Sequence, residues 1–97
     1  MKWGVFSLSQ IPDLDRVPVA FEEDFSYFRR AEEIGYDTVW LAEHLFSNYG
    51  VVTSSQVLAA AVAKCTNTIK IGTAVAEIPF NHPLTTASDF ALVDVIS

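Results

Sequence analysis

Residues 31–44 read AEEIGYDTVWLAEH, and the order of residue types along this stretch decides the fold class. A charged helical end gives way to Gly35, then to the apolar, β-prone run 37–42, then to an acid and a histidine, Glu43 and His44. Gly35 stands where a left-handed residue closes a helix. The Thr-Val-Trp-Leu centre of the run is nearly continuous rather than alternating, the pattern of a strand in a parallel sheet covered on both faces. A helix, a glycine stop, a buried strand and a polar strand tip make up part of an α/β repeat.

The same unit recurs on either side. Residues 2–8 (KWGVFSL) predict a first buried strand, followed by a loop holding Pro12, Asp13, Asp15 and Pro18. Residues 21–34 predict a first helix, with Phe21, Phe25 and Phe28 on one core-facing stripe and Glu22, Glu23 and Asp24 in its first turn, where the helix dipole favours anions. After the second strand comes a polar cluster of Glu43, His44, Ser47, Asn48, Tyr49 and Gly50. Ser54 or Ser55 then caps a helix running to about Lys64, with Val57, Leu58, Ala61 and Val62 apolar. Residues 69–76 (IKIGTAVA) predict a third strand, and Pro83 suits the first position of a third helix carrying Leu84, Ala87, Ala91 and Val95. The lone strand glycine, Gly72, signals a close approach to the backbone.

Strands alternating with helices imply right-handed crossovers and a parallel sheet. The 97 residues supply three such units, as one domain portion spanning 1–97. A closed eight-fold barrel needs about 250 residues. The expected fold is therefore α/β: a partial TIM (β/α)8 barrel, its first three βα units with parallel strands, in a chain cut off before closure.

A formal net charge of −6, with Lys2, Arg16, Arg29, Arg30, Lys64 and Lys70 scattered, argues against nucleic acid and anionic membrane surfaces as partners. No apolar run approaches the roughly 20 residues of a membrane helix, and no signal-peptide pattern opens the chain. The single cysteine, Cys65, excludes an intramolecular disulfide and suits a reducing, cytoplasmic setting. It reads as a small, partly buried residue near a helix end.

Ligands of parallel α/β sheets gather at the carboxyl ends of the strands. That rule selects Ser7 and its successors, the pair Glu43 and His44, and residues 73–77. There is no metal-ligand spacing, no glycine-rich dinucleotide fingerprint, no P-loop and no nucleophile elbow. His44, at a strand tip beside Glu43, reads either as a proton shuttle or as a histidine that merely bonds to its neighbours. Glu43 either orients it or is a solvated carboxylate. His82, before Pro83, reads better as a cap or packing residue.

At this point the sequence resembles a family, the bacterial luciferase-like flavin-dependent monooxygenases. The resemblance runs through MKWGVFSL, AEEIGYDTVWLAEHLFSNYGVV and IKIGTAVAEIPFNHPLTTASDFALVDVIS, in order and spacing. Its specific part is the combination of E-H-x-F at 43–46 with G-T-A-x-x-x-x-P-x-x-H-P at 72–83. The resemblance implies a TIM-barrel oxidoreductase that takes reduced flavin (FMN) and O2 and oxidises a small organic substrate; a deazaflavin (F420) dependent oxidoreductase uses the same barrel. It implies His44 as catalytic acid/base, Glu43 as the acidic neighbour lining the flavin cavity, and a non-proline cis peptide between Ala74 and Val75 beneath the flavin ring. It implies His82 as a residue near the pocket, which Ser7 joins as a pocket residue by the strand-tip rule above. It further implies homo- or hetero-oligomers formed through the helices after strands two and three. The alternative reading is a truncated, inactive chain, or a partner subunit that assembles with another polypeptide.

Overall fold

The computed structural model describes residues 1–47 and 49–97; Asn48 of the polar cluster lies outside the described residues. Three parallel strands, β1 (Gly4–Ser7), β2 (Thr38–Leu41) and β3 (Lys70–Thr73), lie in the order β1-β2-β3. They alternate with three helices, α1 (Val17–Glu33), α2 (Ser55–Cys65) and α3 (Pro83–Ile96). Short 3-10 turns, Leu14–Arg16 and Ile78–Phe80, precede α1 and α3. Sequential parallel neighbours joined by helices are the opening of a (β/α) barrel, as the alternation predicts.

Register puts Val5, Val39 and Ile71 abreast, and Phe6, Trp40 and Gly72 abreast on the opposite face. The first row packs on the helices. Val39, Leu41, Phe28 and Val62 are fully buried at its centre, with Ala31, Leu58 and Ala59 beside them. Phe21 and Phe25 join this cluster, so the predicted aromatic stripe of α1 does face the core. The second row is not covered: Phe6 is 49% and Trp40 42% exposed. The expectation of a sheet covered on both faces is corrected here, because every helix packs on one side. Trp40 fills part of the bare face by lying across the sheet. A Cβ on Gly4 would meet its Nε1 at 2.7 Å, and one on Gly72 its ring at 2.5 Å. The close approach that Gly72 permits is to an indole.

Two boundaries shift for physical reasons. Helix α1 starts at Val17, because Asp13 caps the preceding 3-10 turn through the Asp15 N–H (3.1 Å) and the chain runs straight on. Pro18 thus sits in the first helical turn, where its missing N–H leaves nothing unpaired. Glu22, Glu23 and Asp24 consequently lie beyond the first turn. Gly35 takes φ +92° and ends α1 as expected. Ser54 is the residue that caps α2, accepting from the Val57 N–H at 3.3 Å. Strand β3 stops at Thr73, before the Ala74–Val75 peptide, which is cis. In α3 the buried residue is Thr86, with Phe90 and Val93 half-buried, while Leu84 and Val95 face outward.

Among the described residues, no helix is long and apolar enough to cross a membrane. Cys65 ends α2, half-buried, and burial pushes its thiol pKa up.

Candidate functional site

The carboxyl ends of the three strands are neighbours. The Ala42 N–H donates to Ser7 O at 3.2 Å, and the Ala74 N–H donates to Leu41 O at 2.8 Å. All the candidate segments therefore emerge at one end of the sheet, which positions them for a shared site.

After β2, Glu43 is buried and accepts three hydrogen bonds. Its Oε2 accepts from the Ser55 hydroxyl (2.6 Å) and the Ser55 N–H (2.8 Å), and its Oε1 accepts from the Glu77 N–H (3.3 Å). The next residue, His44, donates its N–H to Val52 O at 2.8 Å, which closes the loop between β2 and α2. Its ring packs edge-on to Tyr49 (centroids 5.8 Å apart) and against Gly50. A Cβ on Gly50 would meet His44 Cδ2 at 2.7 Å and Leu8 O at 2.9 Å, so the imidazole occupies the space that a side chain there would need. The Nε2 atom of His44 is buried without a hydrogen-bond partner. Phe46 follows with φ +55° and is fully exposed.

After β1, Asp24 of α1 reaches back to hold the loop. Its carboxylate accepts from the Ser7 hydroxyl (2.8 Å) and from the Ser9 hydroxyl, while the Ser9 N–H donates to Ser7 Oγ (3.0 Å). Ser9 sits at φ +46°, a left-handed conformation that costs a non-glycine residue about 1–2 kcal/mol. The part-buried bonds to Asp24 offset that cost. Ser7 also lines a hollow of about 290 Å³ with Phe6, Gln10 and Glu23.

After β3, Val75 and Ile78 are exposed apolar side chains next to the cis link. His82 lies farther on and caps α3: its Nδ1 accepts from the Leu84 N–H at 3.2 Å. A larger hollow, about 520 Å³, lies at the opposite end, between the start of β3 and the end of α3, and holds none of the candidate residues.

Charge is divided along the same axis. Strands and helices run antiparallel, so Lys2, Lys70, Arg29, Arg30 and Lys64 all lie toward the amino ends of the strands. At the carboxyl end, among the described residues, the cation is Arg16, and Glu23 binds it at 3.3 Å. No three His, Cys, Asp or Glu side chains among the described residues gather as a metal site.

Sequence reasoning missed Ser55 except as a possible cap, and missed Asp24 as the holder of the β1 loop. The adjacent pair Ser54, Ser55 was the available signal, since one helix start needs only one cap.

The fold and the site define the N-terminal part of a (β/α)-barrel protein with its candidate strand-tip residues at the carboxyl face. The chain belongs to the luciferase-like monooxygenase family, whose family model matches residues 1–97. It is 34% identical over 97 residues to the alkanal monooxygenase alpha chain of Photorhabdus laumondii, covering 100% of this chain and 27% of that one. It is 31% identical over 78 residues to the limonene 1,2-monooxygenase of Rhodococcus erythropolis, covering 80% of this chain and 20% of that protein. The monooxygenase RslO1 from Streptomyces bottropensis superposes with TM-score 0.90 at 31% identity, over 100% of this chain and 30% of that chain. The FMN complex of the oxygenating constituent of 3,6-diketocamphane monooxygenase from Pseudomonas putida superposes with TM-score 0.90 at 21% identity, over 99% and 26% of the two chains. The chain thus spans roughly a quarter of the length of these relatives.

Proposed function

We propose that residues 1–97 form the flavin-ring side of a flavin-dependent monooxygenase site, with His44 as its acid/base. The observation that carries this is the imidazole of His44: seated against Gly50, with Nε2 buried and lacking a partner, at the end of the sheet where Val75, Ile78 and Phe46 expose apolar surface. A flat, largely apolar ring with polar edge atoms suits such a surface, and reduced FMN is the ring favoured by the family, with F420 as the alternative. The residues fit the ring and do not fit the phosphate, because the carboxyl end carries no cation besides the Glu23-bound Arg16 among the described residues.

When bound, the flavin supplies the reaction with O2 that oxidises a small organic substrate. The chain's contribution is to seat the ring beside residues 74–75, exclude water with apolar side chains and hold or move a proton at His44 Nε2. Glu43 and Ser7 shape the walls, and His82 sets the start of α3 behind them. Cytoplasmic placement belongs to the same reading, supported by the single thiol.

Assembly with a further chain belongs to the same reading, supported by exposed apolar surface on two helices. Val57, Leu92 and Val95 expose apolar surface on α2 and α3, beside a hollow of about 170 Å³ lined by Ala60, Val93 and Ile96. An exposed apolar patch of this kind marks an assembly surface, here for a homo- or hetero-oligomer.

The test grafts residues 1–97 in place of the matching quarter of the alkanal monooxygenase alpha chain. The expected result is flavin-dependent O2 consumption that His44→Ala lowers by about 10²–10⁴-fold. Full activity of the His44→Ala graft would overturn the role of His44. A folded graft that binds no flavin would overturn the site.

A further inference from the structure

We infer that Ser55 is a positioning residue that fixes the His44 end of the site by acting through Glu43. The inference rests on the flavin-site reading and assigns a role to a residue outside it. Three segments meet at the Glu43 carboxylate: the exit of β2, the first residue of α2 and the stretch that follows β3. Ser55 is fully buried and supplies two of the three donors. Because Ser54 does the capping, the Ser55 hydroxyl is free of that duty. Its N–H is one of the orphan donors of a helix start, which a carboxylate satisfies well.

The chemistry of the junction makes it demanding. All three partners donate, so the group at position 43 must accept at both oxygens. An amide offers one acceptor and turns its NH2 toward a donor. Glu43 is joined directly to His44, whose own N–H is tied to Val52 O. The imidazole therefore inherits its place from a short backbone segment pinned on both sides. The Glu77 N–H, held by the other oxygen, fixes the segment just past the cis link. Loss of the Ser55 hydroxyl leaves Glu43 Oε2 with one donor in place of two, and frees the carboxylate to rotate away from Glu77.

The test is NMR on the full chain labelled with 15N and 13C, comparing the parent with Ser55→Ala, Glu43→Gln and a fold control, Glu32→Gln. The control breaks a carboxylate clamp at the opposite end of the sheet. Ser55→Ala and Glu43→Gln are expected to move the Glu77 amide and His44 ring resonances and to abolish the contact between the Gly50 Hα protons and the His44 ring. Glu32→Gln should leave all three as in the parent at a similar loss of stability. Should Ser55→Ala not fold, Ser55→Cys keeps the shape with a weaker donor and carries the same comparison. Shifts confined to the first turn of α2, with Glu77 and His44 unchanged, would overturn the inference. So would equal shifts in the Glu32→Gln control. No flavin is needed for these signals, so an FMN titration of the same samples bears on the flavin reading alone.

Discussion

The indole of Trp40 lies so close over Gly72 that a Cβ added there would come within 2.5 Å of its ring, and Gly4 on the other side is equally filled. One side chain of the central strand thus occupies positions on all three strands of the bare face. Gly72→Ala should cost about 1 kcal/mol, because overpacking of about 1–3 kcal/mol outweighs the 0.5–1 kcal/mol by which alanine normally exceeds glycine in a strand. In a Trp40→Ala background the sign should reverse. Urea unfolding of the double-mutant cycle measures this, and equal effects in both backgrounds would contradict the contact.

At the amino ends of the strands, Glu32 of α1 accepts from the N–H groups of Asn67, Thr68 and Ile69 and from the Thr68 hydroxyl. These bonds, Thr68 N–H foremost, hold its carboxyl at a pKa of about 2, below the ordinary 4.5. A depressed folded pKa means the stabilisation is complete above about pH 4.5 and is lost as pH falls toward 2. The carboxylate is partly exposed, so solvent screening leaves about 1–2 kcal/mol of the nominal effect. Glu32→Gln should be less stable by that amount at pH 7 and approach the parent near pH 2.5, a trend read by denaturant unfolding at several pH values.

Gly50→Ala should disturb the site more than the fold. The new methyl meets a main-chain oxygen, Leu8 O, on one side and the His44 ring on the other. The ring is the part that can move, so it should leave its seat. A loss of about 2 kcal/mol in stability is expected, with unchanged far-UV circular dichroism. In the grafted barrel, FMN affinity should fall about tenfold, or about 1.4 kcal/mol. Fluorescence quenching of FMN measures it.

Leu92→Glu on the outer face of α3 should shift the association state without loss of helix. Leu92 is 58% exposed and faces the same surface as Val57. Sedimentation velocity should show a smaller species for the variant than for the parent. Identical profiles would remove that face as an assembly surface.

The strand order and the crossovers were legible because the hydrophobic runs and Gly35 punctuate the chain locally. The outward stripe of α3 was not. Leu84, Ala87, Ala91 and Val95 compete with Thr86, Phe90 and Val93 on a helix apolar nearly all round, and only packing decides which set is buried. The strand-tip rule and the resemblance singled out Glu43 and His44 together. The cis link at Ala74 was implied by the resemblance and by nothing in the residue pattern. Pro18 was misread as a loop residue because a proline in the first helical turn looks like one that ends a loop. The junctions Ser55 to Glu43, Asp24 to Ser7 and Glu32 to Thr68 join residues 12, 17 and 36 positions apart. No periodicity encodes such pairings, since they exist only once the helices have docked.

The half-bare indole of Trp40 has an optical consequence. Its emission depends on how much water reaches the ring, so whatever comes to lie over Phe6 and Trp40, from this chain or another, announces itself as a blue shift. With Trp3 replaced by phenylalanine, the protein carries its own gauge of barrel closure at the centre of its sheet.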